Sequence, residues 1–163
     1  MAGLTLLELL VVLSLSACLS AVGSSIYSQM LSRSQLIALT NELAGLMKDA
    51  QQWSVRTNKN YYFDMHIGGS NRCWSIATQR DCHCSDNTVS SCALQFSVLS
   101  PQYHNINITS NREQLIFTPL FGYSNAGSYK LSIATDATRI VISSLGRIRI
   151  CTDLGDIQLY AAC

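Results

Sequence analysis

The N-terminal third of the chain carries one long helical pattern, and this feature constrains the fold more than any other. No proline occurs before Pro101, so no missing backbone N–H interrupts a helix in this stretch. Apolar residues recur every seven positions, with a second set three positions further on: Leu36, Leu43 and Ala50, then Leu39, Leu46 and Trp53. This spacing places the side chains on one helix face. The pattern therefore predicts a single helix from Leu4 to about Val55.

The first half of this predicted helix is almost entirely apolar. Between Leu4 and Leu31 the only charged side chain is Glu8, and the run is long enough at helical rise to cross the hydrocarbon core of a bilayer. A removed secretory signal usually has a basic start and a shorter apolar core followed by a cleavage site. Here no basic residue precedes the run, and helix-compatible sequence continues past it. We therefore expect a retained membrane helix over residues 4–31, followed by an amphipathic half over residues 32–57.

The rest of the chain changes to the two-residue alternation of β-strands. Apolar and polar side chains alternate in YYFDMHI at residues 61–67, which is typical of a half-buried strand. Further strands are predicted at Trp74–Thr78, Leu94–Leu99, Asn105–Thr109, Gln114–Thr118, Tyr129–Thr135, Thr138–Ser143, Arg147–Cys151 and Ile157–Tyr160. Roughly a hundred residues are enough for one core. We predict an α+β fold, in which the apolar stripe of the long N-terminal helix packs on a C-terminal antiparallel β domain.

Charge and cysteine content narrow the possible functions. The net charge of +1 gives no whole-protein field for nucleic acid or acidic lipid, so any such binding must be local. Cys18 lies alone in the apolar segment, where we expect it to pack as a small apolar residue. The other six cysteines are Cys73, Cys82, Cys84, Cys92, Cys151 and Cys163. An even number favours disulfides in an oxidising compartment such as a bacterial periplasm.

The spacing of these cysteines limits their pairing without fixing it. Cys151 and Cys163 bracket the last turn and predicted strand, so we expect a bridge that locks the C-terminus. The remaining four would form two bridges, in which Cys82 and Cys84 are not partners because they are too close for easy geometry. The alternative is a zinc site around Cys82-His83-Cys84, which is less favoured because structural zinc prefers other spacings.

The ending TRIVISSLGRIRIC predicts a β-hairpin with a three-residue loop, Ser144-Leu145-Gly146, in which Gly146 is left-handed. This register sets Val141 opposite Arg149 and Arg139 opposite Cys151. It collects Ile140, Ile142, Ile148 and Ile150 on one face, and Arg139, Arg147 and Arg149 on the other. A two-residue loop would mix the two sets, so the pattern favours three.

The arginine face allows two interpretations. Three guanidinium groups on a strand pair can reach successive phosphates of DNA, with a salt-dependent affinity. Alternatively, the face is merely solvated and its arginines pair with Asp153 or Asp156. The sequence by itself leaves both open.

No catalytic or metal constellation stands out in the sequence. Asp64 and His66 share a strand face, but no nucleophile is tied to them, so we expect an exposed pair. His83 and His104 lie in loop-like sequence and are expected at the surface. We therefore predict a protein that is not an enzyme and needs no cofactor or metal.

The first residues carry a recognisable processing motif. Gly3 followed by Leu-Thr-Leu-Leu-Glu-Leu-Leu-Val-Val resembles the cleavage site of type IV prepilins and type II secretion pseudopilins. The resemblance implies that a prepilin peptidase cuts between Gly3 and Leu4 and methylates the new N-terminus. Residues 1–3 would then be a leader, and residues 58–163 a disulfide-stabilised β domain.

The resemblance also suggests a role for Glu8, which becomes the fifth mature residue. A lone ionised carboxylate in hydrocarbon costs several kcal/mol unless it is protonated or paired. Pairing with the N-terminal amine of a neighbouring subunit would neutralise both charges and set the axial register of a filament. Before assembly the carboxylate would reach the lipid headgroups.

Three stretches narrow the resemblance to the FimT, FimU or GspH branch of minor pilins: TNELAGLMKDAQQWSVRTNKN, the region around Cys73-Trp74, and RIVISSLGRIRIC. The branch implies a minor subunit made at the inner membrane with a periplasmic β domain, then drawn into a pilus or pseudopilus near its tip to help initiate assembly. The implied partners are other major and minor pilins, the prepilin peptidase, the inner-membrane assembly platform and membrane lipid.

Two functions follow from the branch. In FimT-type members a Gly-Arg-x-Arg stretch is implicated in DNA binding during natural transformation, and here it corresponds to Gly146, Arg147 and Arg149. Arg139 lies on the same face, which makes double-stranded DNA a further implied partner. The alternative is a GspH-like minor pseudopilin of a type II secretion system.

Overall fold

The computed structural model describes residues 5–68, 72–85, 92–155 and 157–163. The elements are α1 (Leu6–Thr57), β1 (Tyr61–His66), β2 (Cys73–Ala77), β3 (Ala93–Val98), β4 (Asn107–Ser110), β5 (Gln114–Phe117), β6 (Gly127–Ile133), β7 (Asp136–Ile142) and β8 (Ile148–Leu154), with a 3₁₀ turn at Pro101–Tyr103. The chain divides into two compact units, of which the first ends at Ser34 and the second is Gln35–Cys163. The prediction of one long helix is confirmed.

The first unit contains the apolar part of α1, and its large side chains are exposed. The strongly exposed side chains include Leu6, Leu7, Leu9, Leu10, Val11, Val12, Leu13, Leu15, Ile26, Tyr27, Met30 and Leu31. Within the described ranges, no helix combines the length and the apolarity that crossing a membrane requires. The described part of this unit therefore presents an uncovered apolar surface.

The second unit is built around the predicted stripe of α1. Leu36, Leu39, Leu43 and Ala50 are buried, and Leu46 and Trp53 pack against the same core. A buried hydrogen bond of 2.7 Å between the hydroxyl groups of Thr40 and Thr138 also joins the helix to β7. The prediction that the stripe packs on the β domain is confirmed.

The β domain consists of two four-stranded antiparallel sheets. Their strand orders are β3-β2-β1-β5 and β4-β6-β7-β8. Strict alternation builds the core: in β6 every second residue is buried, from Gly127 to Ile133. Phe63 of the first sheet and Tyr129 of the second meet edge to face, with ring centroids 6.1 Å apart, and Trp74 is buried in the same core.

One predicted strand is wrong. Residues Ile157–Tyr160 form a turn, closed by the backbone N–H of Tyr160 donating to the carbonyl of Ile157 at 3.2 Å. A disulfide joins Cys163 to Cys151 in β8, so the chain must reverse direction before its end. The last residues then run beside β8, where the N–H of Thr152 donates to the carbonyl of Ala161.

The six cysteines of the β domain form three disulfides: Cys73–Cys84, Cys82–Cys92 and Cys151–Cys163. The predicted C-terminal bridge is confirmed, as is the exclusion of a Cys82–Cys84 pair. The zinc alternative is wrong, because its thiols are consumed in disulfides. Cys18 is an exposed thiol, so the expectation that it packs as an apolar residue is not met within this chain.

Candidate functional site

The β7–β8 hairpin has the predicted loop and register. Arg139 pairs with Cys151, and Val141 pairs with Arg149. The N–H of Ser143 donates to the carbonyl of Arg147 at 3.1 Å, which closes the three-residue loop. Gly146 has a φ of +76°, the left-handed conformation that glycine adopts at no steric cost.

The two faces of the hairpin separate as the sequence predicts. Ile140 and Ile142 are buried in the core, and their cross-strand partners Ile148 and Ile150 pack against it. Side chains alternate between the faces of a strand, so the arginines lie on the opposite face. Arg147 and Arg149 are exposed there, whereas Arg139 is half-buried.

Arg139 differs from the other two arginines because it has an acidic partner. Its guanidinium lies 2.7 Å from the carboxylate of Asp153, which also binds the ammonium group of Lys130 at 2.8 Å. The hydrogen bond from Lys130, reinforced by the charge of Arg139, lowers the pKa of Asp153 below its usual value. Asp153 therefore stays ionised and offsets the positive charge at this end of the hairpin.

Arg147 and Arg149 form no ion pair with any residue in the described ranges. Asp156, the other acid that the sequence offered as a partner, lies outside those ranges. The structure thus divides the predicted three-arginine face. The pairing with Asp153 that the second interpretation expected occurs at Arg139, whereas Arg147 and Arg149 are exposed.

Gln51 of α1 fixes the hairpin loop, and the sequence analysis missed it. Its side-chain amide donates to the carbonyl of Gly122 at 2.8 Å and to that of Gly146 at 2.7 Å. A further backbone hydrogen bond joins Ser124 to Ser144 at 3.2 Å. A polar residue at the margin of an amphipathic stripe gives no signal of such contacts, because their partners are far away in sequence.

The loop that Gln51 holds against the hairpin displays apolar side chains. Leu120 is 64% exposed, Phe121 75% and Tyr123 39%, and Leu145 on the neighbouring loop is 70% exposed. The rings of Phe121 and Tyr123 lie 5.9 Å apart, centroid to centroid. The exposure of these side chains suits a contact role.

The comparison with protein families decides the identity of the chain. The family described as type II transport protein GspH matches residues 39–146, which include most of the second unit and the hairpin loop. The chain belongs to the GspH family. A comparison with curated proteins finds no significant match.

Two solved structures show the same fold as this GspH-family chain. The type IV minor pilin FimU of Pseudomonas aeruginosa superposes with a TM-score of 0.56 at 15% identity, covering 76% of this chain and 90% of FimU. The minor pseudopilin EpsH from the type 2 secretion system of Vibrio cholerae gives a TM-score of 0.52 at 8% identity, covering 72% of this chain and 97% of EpsH. The predicted type IV pilin-like fold and the minor pilin or pseudopilin family are confirmed.

The predicted Asp64–His66 pair is wrong. Asp64 is buried, and its carboxylate contacts His83 Nδ1 at 3.0 Å and accepts a hydrogen bond from the N–H of Cys84 at 3.3 Å. His83 is part-exposed and has Asp64 as its acidic partner. The disulfides draw the Cys82–Cys84 segment over the outer face of β1, which strand alternation by itself would leave to solvent.

The residues of the processing motif are only partly described. Gly3 and Leu4 lie outside the described ranges. Glu8 is exposed in the first turn of α1, and its N–H donates to the hydroxyl of Thr5 at 3.3 Å, which caps the helix. A carboxylate is favourable at this end because the helix dipole is positive there.

Proposed function

We propose that the chain is a minor pilin of a type IV pilus, which prepilin peptidase cleaves between Gly3 and Leu4. Before assembly, the mature subunit lies in the inner membrane, in contact with lipid, with its β domain in the periplasm. The assembly platform then draws it into the pilus near the tip, where it helps to initiate assembly with other major and minor pilins. The uncovered apolar surface of the first unit supports this proposal, because packing against neighbouring helices would remove it from water.

The assembly step depends on Glu8 in this proposal. Its carboxylate pairs with the mature N-terminal amine of a neighbouring subunit, which neutralises both groups in an apolar filament core. Glu8→Ala should leave the amount of protein in the membrane fraction unchanged and reduce its amount in sheared pili. Glu42→Ala is the matched control, since Glu42 is an exposed acid on the same helix. Normal recovery of the Glu8 variant in sheared pili would contradict the proposed pairing.

We further propose that the pilin binds DNA for uptake. The observation that carries this proposal is the exposed pair Arg147 and Arg149, which no described acid neutralises. Two phosphate contacts give weak binding, with a slope of about −0.9 in log K against log salt for each contact to a duplex. The proposal is narrower than the three-arginine face that the sequence predicted, because Arg139 already pairs with Asp153.

A duplex-binding assay on the full chain in mild detergent tests the DNA proposal. Fluorescence anisotropy with a labelled duplex should show binding at low salt that the double change Arg147→Ala and Arg149→Ala abolishes. Arg139→Ala is the control and should retain most of the binding, because Arg139 is already paired. Equal binding by the double variant and the unchanged chain would show that Arg147 and Arg149 do not contact DNA.

The second candidate function is that of a minor pseudopilin in type II secretion. The match to the type II transport protein family favours it, and the fold is also that of EpsH. A deletion strain separates the two functions. Loss of pili with normal secretion supports the pilus, and loss of secretion with normal pili supports the pseudopilus. A DNA contact would serve a pilus that takes up DNA and not a secretion filament, so the duplex-binding assay also bears on this choice.

A further inference from the structure

The aromatic loop, residues 119–124, lies directly against the arginine hairpin. A Cβ atom built on Gly146 would come within 2.0 Å of the carbonyl oxygen of Gly122, so the two glycines are in close contact. Phe121 directly precedes Gly122, and Arg147 directly follows Gly146. An exposed aromatic ring and an exposed guanidinium group therefore each lie one residue along the chain from this contact. Gln51 holds both loops through its two hydrogen bonds.

The backbone conformation of this loop is unfavourable for Phe121. Phe121 has a φ of +57°, a left-handed conformation that is uncommon for a bulky side chain. Such strain persists only where the surrounding structure fixes it, and it clusters at binding sites. Here the strained residue is Phe121, whose side chain is 75% exposed and contributes nothing to the core. The chain reverses here in a turn closed by the N–H of Tyr123 donating to the carbonyl of Leu120 at 3.3 Å, which accounts for the backbone; the exposed ring itself has no role in the core and is available to a ligand.

We propose that Phe121, Tyr123, Arg147 and Arg149 together form a binding surface for single-stranded nucleic acid. Bases stack on the two aromatic rings while the arginines pair with the phosphates that flank those bases. The combination suits a single strand, because its bases expose their faces, whereas the bases of a duplex are already stacked on one another. A duplex would engage the arginines alone. This inference deepens the proposed DNA binding and rests on it.

The test compares two probes on the full chain in mild detergent: a labelled oligothymidine of about twelve nucleotides and a labelled duplex of similar charge. The unchanged chain should bind the single strand more tightly. Phe121→Ala should weaken binding of the single strand by roughly tenfold or more, as expected for the loss of one stacked base, and should leave duplex binding unchanged. The salt slope should persist in Phe121→Ala and fall in the double arginine variant.

Two further variants make the test specific for stacking. Leu145→Ala is the matched control, since Leu145 is apolar, 70% exposed and on the neighbouring loop; it should leave the affinity for oligothymidine unchanged. Phe121→Trp should retain the affinity, and the fluorescence of the new indole should be quenched by oligothymidine. Both residues are exposed, so thermal unfolding should confirm that each variant is folded.

The outcomes separate this inference from the DNA proposal itself. Suppose that duplex binding depends on the arginines but Phe121→Ala leaves single-strand binding unchanged. This result would overturn the stacking surface and leave the DNA proposal intact. No binding of either probe at low salt would overturn both. If the Phe121→Ala variant is missing from sheared pili but binds oligothymidine normally, the stacking surface is overturned and the loop is a contact between subunits.

Discussion

Replacement of Gly146 by alanine tests the geometry of the hairpin loop most directly. The new Cβ would lie 2.0 Å from the carbonyl oxygen of Gly122 and 2.4 Å from the amide nitrogen of Gln51. Real Cβ atoms do not approach backbone oxygens this closely, so the two loops must separate. The φ of +76° adds the cost of a left-handed alanine, about 1–2 kcal/mol.

The separation of the loops has a further cost. Gln51 would lose both of its hydrogen bonds, to Gly122 and Gly146, and each is worth about 1 kcal/mol net. We therefore expect Gly146→Ala to lower the free energy of unfolding by about 3–4 kcal/mol. For a chain of this size that is a fall in Tm of roughly 10 °C.

The assay is thermal unfolding of the full chain in mild detergent, followed by tryptophan fluorescence, because Trp74 is buried in the core. Gly45→Ala is the control: Gly45 lies inside α1, and an added Cβ would meet nothing within 4 Å. Alanine should stabilise that position by about 0.5–1 kcal/mol, so the two substitutions should move Tm in opposite directions. A Gly146 variant with an unchanged Tm would refute the contact between the two loops.

Three other perturbations have expected outcomes. Replacing Cys151 and Cys163 by serine opens a bridge with a sequence separation of 12 and should lower the free energy of unfolding by about 3 kcal/mol; the unchanged chain after reduction is the comparison. Leu43→Ala removes a fully buried side chain and should lower the free energy of unfolding by about 2–5 kcal/mol. Leu145→Ala, at an exposed position, should leave it almost unchanged; urea unfolding measures both. Burial raises the pKa of Tyr129 above its usual value of 10.0. As the pH rises past that value the unfolded chain ionises this group first, so stability falls. Tyr129→Phe should lose less stability between about pH 8 and about pH 11, and an identical loss would contradict the assigned burial.

Local pattern explains the features that the sequence predicted well. The long helix follows from the absence of proline and the seven-residue stripe, and the strand alternation follows from the pleat. The hairpin register follows from one glycine and from the need to keep isoleucines and arginines on separate faces. Each of these depends on residues that are near one another in the chain.

The failed strand at Ile157–Tyr160 shows where local pattern is not enough. Ile157 and Leu159 alternate with Gln158, as in a strand, which would place both apolar side chains on one face; in the structure Ile157 is buried while Leu159 is exposed. The bridge between Cys151 and Cys163 overrides this pattern by forcing the chain to turn back. A covalent constraint set by a distant residue cannot be recognised from the alternation of a short segment.

The sequence by itself determined the long helix, its buried stripe, the arginine hairpin and the set of cysteines that pair. Only the tertiary structure decided how Cys73, Cys82, Cys84 and Cys92 join, that Asp153 pairs with Arg139, and that Asp64 is buried against His83. It also placed Gln51 against carbonyl groups 71 and 95 residues away, which brings the aromatic loop to the arginines. The physical reason is range: propensity and periodicity act over a few residues, whereas ion pairs, disulfides and loop contacts depend on how distant segments pack in space.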